Sequence, residues 1–347
     1  MNEMDESESQ SNIESASDRD GSDVFPEREL ASVTLTMGSG GARNPLILQP
    51  GAIVFEPDPN NETSPLANWV CDLSEAQYTR YRDALDTLSQ IHVTNMFGTV
   101  RQSGLDMMAV VGEAYKALYE NKISTLRPDD FVQWTVRLRT SILSFCSVIH
   151  HHQEQSYAAV KRKFGEDSRE HEAMRLAFGE IYNNCFGYRY LYKLRNCMVH
   201  YSMRAINVST ESRTHEGQEL RWWDISMNRS VMLKPKKLLN ASLRSEIKAL
   251  DEDPIIVEMQ TEAFNELIKT NRKVIEIQYP EIGHICSTVR EFDQLFQGKD
   301  GVRGLAISRS AEIRSPFTFE FHPIAGQVIE AARRYGELNP DDAAPRR

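Results

Sequence analysis

The chain has 347 residues, 40% of them apolar and 26% charged, enough to bury the core of one or two domains; its mean hydropathy of −0.48 and the lack of any apolar run near the roughly 18 residues of a membrane span exclude a helical membrane protein. The acidic start Met1-Asn2-Glu3-Met4-Asp5-Glu6 carries no signal peptide, and five dispersed cysteines with no C-x2-C pair point to reduced thiols and a cytoplasmic location. Of the net charge of −10, residues 1–30 supply −8, with ten acidic residues against two basic ones, so the other 317 residues are close to neutral.

Residues 1–44 are Ser-, Asp-, Glu- and Gly-rich and lack the apolar density of a core, which predicts a disordered acidic tail. Residues 45–66 form a short strand and loop segment. Pro45–Leu48 and Ala52–Phe55 flank Pro50-Gly51 as a small hairpin, and Pro57 to Pro65 reads as a loop. Helical periodicity then takes over in a bundle spanning 67–300. Ser74 is the expected N-cap of a helix through Leu88, and a second helix runs over 104–123. A third starts at Pro128-Asp129-Asp130 and continues towards Gly165, with Val132, Val136, Leu138, Ile142, Leu143, Phe145 and Ile149 as its apolar face. A fourth begins at Asp167-Ser168 and runs on through Phe178, Tyr188 and Leu194.

Strands at Ile206–Val208, Glu219–Ser226 and Ser230–Leu233 predict a β-hairpin insertion over about 206–234, the last two joined around Asn228. Helices return at Asp253–Tyr279 and Ile282–Phe296. The segment 301–338 carries short strands at Leu305–Ser308 and Phe317–Phe321 and a helix over Ile324–Tyr335, before a flexible tail at 339–347. The expected fold is mainly α: a helical bundle with a β-hairpin insertion and short C-terminal strands.

Residues 181–210 hold Arg189, Lys193, Arg195 and Arg204 and no carboxylate, the local sign expected around a phosphate. An imidazole at His200 moves protons near neutral pH, and the guanidinium of Arg195 holds phosphate oxygens as charge develops on them. A five-residue offset on a straight helix turns by about 140° net. Arg195 and His200 therefore meet only if the helix ends between them or two copies face each other across a twofold axis. Without a family context, the pair also fits a helix C-terminus whose cation favours the dipole.

The run Tyr188-Arg189-Tyr190-Leu191-Tyr192-Lys193-Leu194-Arg195-Asn196-Cys197-Met198-Val199-His200-Tyr201 resembles the HEPN superfamily motif: Arg, a polar residue, a short spacer and His at the end of an aromatic-rich helix. The resemblance is specific over residues 186–202 and architectural over roughly 74–300. It implies a HEPN-like bundle with a metal-independent endoribonuclease site and no cofactor. His200 would move protons for attack of the ribose 2′-hydroxyl on the adjacent phosphate. Arg195 would bind that phosphate, and Asn196 would orient one of the two. Products would carry 2′,3′-cyclic phosphate and 5′-hydroxyl ends. The resemblance further implies RNA as partner, a homodimer with a composite site, a toxin, antiphage or stress role, and an antitoxin or other regulator. Tyr201 directly follows His200, so the modifiable His-x-Tyr of some family toxins is not matched. The family includes members with the fold and no cleavage, which keeps open a non-catalytic RNA-binding, nucleotide-binding or protein-interaction module.

Arg189, Lys193, Arg204, Tyr201 and Tyr190 are the expected RNA contacts, with Tyr190 the exposed tyrosine available to stack on a base. His150-His151-His152 cannot converge on one metal ion from consecutive helical positions, which predicts a solvated face and no metal site. Lys161-Arg162-Lys163 is followed closely by Glu166 and Asp167 and reads as a salt-bridged surface. Trp222-Trp223 in a strand places one ring inward and one outward. There is no G-x4-G-K-[ST] loop, G-x-G-x-x-G turn, G-x-S-x-G elbow or H-E-x-x-H pair.

Overall fold

A computed structural model describes residues 33–36, 49–58, 61–123, 127–215, 218–308 and 318–338. Its backbone divides into two compact units, residues 1–49 with 306–322 and residues 50–305 with 323–347. In the first unit, β1 (Val33–Thr36) pairs antiparallel with β7 (Thr318–Pro323), Val33 opposite Phe321 and Leu35 opposite Phe319. This corrects part of the expected acidic tail: Val33-Thr34-Leu35-Thr36 alternates apolar and β-branched residues at the strand period. The rest of the tail, Pro45–Leu48 and residues 339–347 lie outside the described residues.

The second unit is mainly α-helical. It opens on β2 (Gln49–Asp58) and β3 (Asn61–Asp72), which pair antiparallel from Gly51 opposite Asp72 to Asp58 opposite Asn61, with register shifts after Ala52 and Glu56. The segment read as a loop over 57–65 is thus mostly strand among its described residues, because Ala52–Phe55 pairs forward with Ala67–Cys71. Helix α1 (Glu75–Thr94) starts at Ser74 with a complete capping box: Gln77 N–H donates to Ser74 Oγ, and Ser74 N–H donates to Gln77 Oε1. Tyr81 of α1 packs on Phe292 of α9 (Ile282–Gln294), centroids 5.4 Å apart, and α10 (Gly326–Leu338) joins these two helices in a satellite cluster.

The main core joins α2 (Met96–Tyr119), α3 (Pro128–Phe164), α4 (Arg169–Asn184), α5 (Phe186–His200) and α8 (Ile256–Gln278). The 37 residues of α3 make a rod of about 55 Å, against which α2, α4 and α5 pack. Leu138, Ile142, Phe145 and Ile149 are buried as expected, but Val132 and Val136 are more than half exposed. The expected fourth helix is two. The chain breaks at Cys185, whose extended backbone (φ −114°, ψ 110°) ends α4 and caps α5, its Sγ accepting the Tyr188 N–H. Helix α5 lies close on α8: a Cβ on Gly187 would strike the Met259 carbonyl oxygen, while the Gly187 N–H donates to Glu262 Oε2 at 2.9 Å.

A short 3-10 turn (Met203–Ala205) leads into β4 (Ile206–His215) and β5 (Gln218–Met227), a ten-pair antiparallel hairpin from Ile206 opposite Met227 to His215 opposite Gln218. Trp223 is buried, stacks on Phe131 and donates from Nε1 to Ala114 O, while Trp222 is partly exposed. Residues 230–233 are not a strand. Asn228 caps a short helix, α6 (Arg229–Met232), accepting the Val231 N–H. Helix α7 (Ala241–Ala249), capped by Asn240, was not anticipated. Strand β6 (Val302–Ser308) extends the expected C-terminal strand by three residues. No described helix is long and apolar enough to cross a membrane.

His152 is 1% exposed; its Nε2 donates to Asn271 Oδ1 at 3.3 Å, and Nδ1 is buried without a partner among the described residues. Burial pushes its imidazole down to about 4. The unfolded chain, where a histidine titrates near 6.5, binds the proton first, so His152 stabilises the fold fully above pH 6.5 and loses that contribution as pH falls to about 4. Urea unfolding should lose about 3 kcal/mol across that window, and the loss should be largely absent in His152→Gln. A second expectation concerns Gly187→Ala, which should cost about 2 kcal/mol by overpacking α5 against α8, read as a lowered thermal midpoint.

Candidate functional site

Helix α5 carries Arg195, Asn196 and His200, and two anchors fix it. The first is at its start. Arg189 is 12% exposed in its side chain and donates from Nη1 to the Tyr182 and Asn183 carbonyls (2.9 and 2.8 Å) and from Nη2 to Glu246 Oε1 at 2.6 Å. Those carbonyls end α4 and have no intrahelical partner, so the guanidinium caps one helix while riding on the next. The second anchor is Tyr190, fully buried, with its hydroxyl 2.9 Å from Leu243 O and 2.8 Å from Glu246 Oε2. Burial, reinforced by the Glu246 carboxylate, holds this phenol protonated far above its ordinary range.

These positions correct two expected RNA contacts. Tyr190 offers no stacking face, because its side chain lies on the stripe Gly187, Leu191, Leu194 and Met198 that α5 buries. Arg189 has both terminal nitrogens committed to α4 and to Glu246, and its Nε is buried without a partner among the described residues. Lys193 is partly buried, near the rings of Tyr182 and Tyr192, and burial lowers its ammonium. Tyr201, about half exposed, and Arg204, exposed, follow the end of α5 and remain open to solvent.

His200 is the last residue of α5 and is exposed; no hydrogen bond, ion pair or ring contact engages it among the described residues. The helix does not end between Arg195 and His200. It continues through His200, and the chain turns only afterwards, where the Tyr201 and Ser202 N–H groups both donate to Cys197 O. Within one chain the two side chains therefore leave the axis about 140° apart. Of the two routes by which sequence allowed them to meet, only a second copy is left.

Arg195 is partly buried. Its Nη1 donates to Asn196 Oδ1 at 3.0 Å, its Nε is buried without a partner, and no carboxylate lies within ion-pair distance among the described residues. Across from it, α3 contributes residues that sequence reading placed elsewhere. The His150–His152 triplet is not a solvated face: His151 is exposed and His152 is buried. His150 stacks on Tyr192 (centroids 4.5 Å, planes 25° apart), with its side chain 13% exposed and Nδ1 3.2 Å from Glu154 Oε1. Burial lowers its imidazole below the ordinary value; the Arg195 charge adds to this and Glu154 opposes it. Further along the same stripe, Arg139 donates to Ile206 O, and burial followed by the nearby Arg204 charge lowers it as well. Arg139, Leu143, His150 and Glu154 recur at helical spacing, the signal that could have located this stripe.

The basic triplet is surface structure: Lys161 pairs with Glu166 at 2.7 Å, and Lys163 donates to Gln278 O over the Tyr279 ring. Two surface depressions, of about 260 and 440 Å³, are lined by residues such as Phe164 with Tyr279 and Leu176 with Lys273; the α5 motif lines neither. No protein-family profile, curated protein or solved structure matches the chain.

Arg189→Ala should cost about 3 kcal/mol, since it strips two α4 carbonyls and leaves the Glu246 carboxylate without its cation. Chemical denaturation measures the loss. An unchanged midpoint would return Arg189 to the pool of free RNA contacts.

Proposed function

We propose that the protein is a metal-independent endoribonuclease, working as a pair of chains in which Arg195 of one copy and His200 of the other share an RNA phosphodiester. The observation that carries this reading is Arg195: a partly buried guanidinium with an unpartnered Nε and no carboxylate among the described residues. A fixed cation without a counter-ion suits a phosphate that arrives from outside, and it stabilises charge that grows in the transition state. Asn196 accepts from Nη1 and holds the guanidinium plane. His200 stands free at a helix end, able to give or take a proton on a substrate. The likeness of residues 186–202 to the HEPN motif supplies the reaction class, and Tyr201, Arg204 and Lys193 supply exposed or part-exposed flanking contacts. The same likeness supports a cytoplasmic protein with a toxin or defence role under an antitoxin or other regulator.

The unbroken α5 favours one other reading. A chain acting alone would present Arg195 without His200 and would bind RNA or a nucleotide without cutting it.

Purified protein should cleave unstructured RNA in EDTA and leave 2′,3′-cyclic phosphate ends. Arg195→Ala and His200→Ala should each lower the rate by at least about 100-fold. Binding without cleavage by the wild type would establish the module instead, and full activity in His200→Ala would sink the mechanism.

A further inference from the structure

The motif on α5 supplies one imidazole per chain, whereas attack by a 2′-hydroxyl needs a group to remove its proton and another to protonate the departing 5′-oxygen. The structure places a second imidazole beside Arg195, and it comes from α3. His150 is stacked on Tyr192, one turn before Arg195 on α5, and the Glu154 carboxylate lies behind its Nδ1. Among the described residues no hydrogen bond engages either ring nitrogen of His150, its Nδ1 being buried 3.2 Å from Glu154 Oε1, and the Nε of Arg195 is likewise buried without a partner. A cation on α5 and an imidazole on α3 thus flank Tyr192, close enough for the Arg195 charge to act on the ring. The groups that set the charge of this imidazole are Glu154 and His151 on its own helix and Arg195 and Tyr192 on α5.

We propose that His150 and Arg195 form a phosphate site within a single chain, in which His150 accepts the 2′-hydroxyl proton of the bound RNA. This rests on the ribonuclease reading above. Arg195 holds the non-bridging oxygens. The 2′-O–H proton passes to His150 Nε2, the 2′-oxygen bonds to phosphorus, and the phosphorus–5′-oxygen bond breaks. His200 of a second copy protonates the 5′-oxygen, and water later resets both imidazoles. Burial shifts His150 towards the neutral form this role requires, opposed by the Glu154 carboxylate and aided by the Arg195 charge, and Glu154 Oε1, 3.2 Å from Nδ1, attracts a proton to that nitrogen.

The test compares two RNA substrates, one ordinary and one with sulfur as the 5′ leaving atom, which departs without a proton. His150→Gln, which keeps a planar polar side chain against Tyr192, and His150→Ala should lose at least about 100-fold on both substrates. His200→Ala should lose that much only on the oxygen substrate. The wild-type rate should fall on the acid side below pH 6.5, and His150→Gln should abolish that limb. Thermal melting checks that each variant is folded. Near wild-type cleavage by His150→Gln would overturn the proposal and leave the ribonuclease reading standing. Absence of cleavage by the wild type would overturn that reading and the proton transfer together. The pair itself is read separately by NMR with uridine 3′-monophosphate. The His150 ring signals should move in the wild type and stay fixed in Arg195→Ala, and signals unmoved in the wild type would remove the site.

Discussion

The Arg189 guanidinium holds the corner on which the rest of the site depends. It bonds the last carbonyls of α4, pairs with Glu246 of α7 and travels on α5. Because the donors are rigidly forked, the three elements are fixed in direction as well as in distance. Gly187 and Glu262 set how closely α5 approaches α8, and Tyr190 ties the next turn to α7. With its first two turns held this way, α5 has little freedom left, and the azimuth of Arg195 follows from helical geometry alone. Arg195 and His200 are then aimed in different directions, about 140° apart around the helix.

That aim explains why the two imidazoles have such different surroundings. His150 sits on the inner side of the α3–α5 contact, stacked on an aromatic ring and partly stripped of water. His200 sits past the last packed turn, in solvent. Proton transfer in both directions calls for one group that is readily neutral and one that is readily charged. In the proposed reaction, His150 and His200 would divide these two roles.

Much of the architecture was legible in the sequence, and the failures have physical causes. Ser74, Pro128 with Asp129 and Asp130, and Asp167-Ser168 marked helix starts because N-terminal capping and a first-turn proline are local chemistry carried by adjacent residues. The break at Cys185 was missed because no glycine or proline sits at that position; an arginine four residues later makes the cap. Residues 230–233 hold the short apolar run Val231-Met232-Leu233 that suits a strand, yet Asn228 caps them as a helical turn, a case of side-chain chemistry overriding a short apolar run. Tyr190 looked exposed because its neighbours at 188 and 192 shared a face, but α5 is enclosed on several sides, by α3, α4 and α8. His150 was invisible for the opposite reason. A run of three histidines hides the fact that each ring meets a different environment, and only the packed structure separates them.

The carboxylate-free stretch 181–210 was the main electrostatic signal in the sequence, and the fold changes its meaning. Acids return to it from elsewhere: Glu246 meets Arg189, Glu262 meets the Gly187 N–H, and Glu154 stands behind His150. Local composition therefore overstated how much positive charge is free. Arg195 escapes this neutralisation although it is partly buried, the circumstance in which an unpaired guanidinium is least favourable. Lys193 and Arg204 also lack a carboxylate, but both reach solvent more easily or rest on aromatic rings. Arg189, two turns away on the same helix, does receive a carboxylate, from Glu246. An anionic ligand, as in the proposed ribonuclease site, would supply Arg195 with that counter-charge.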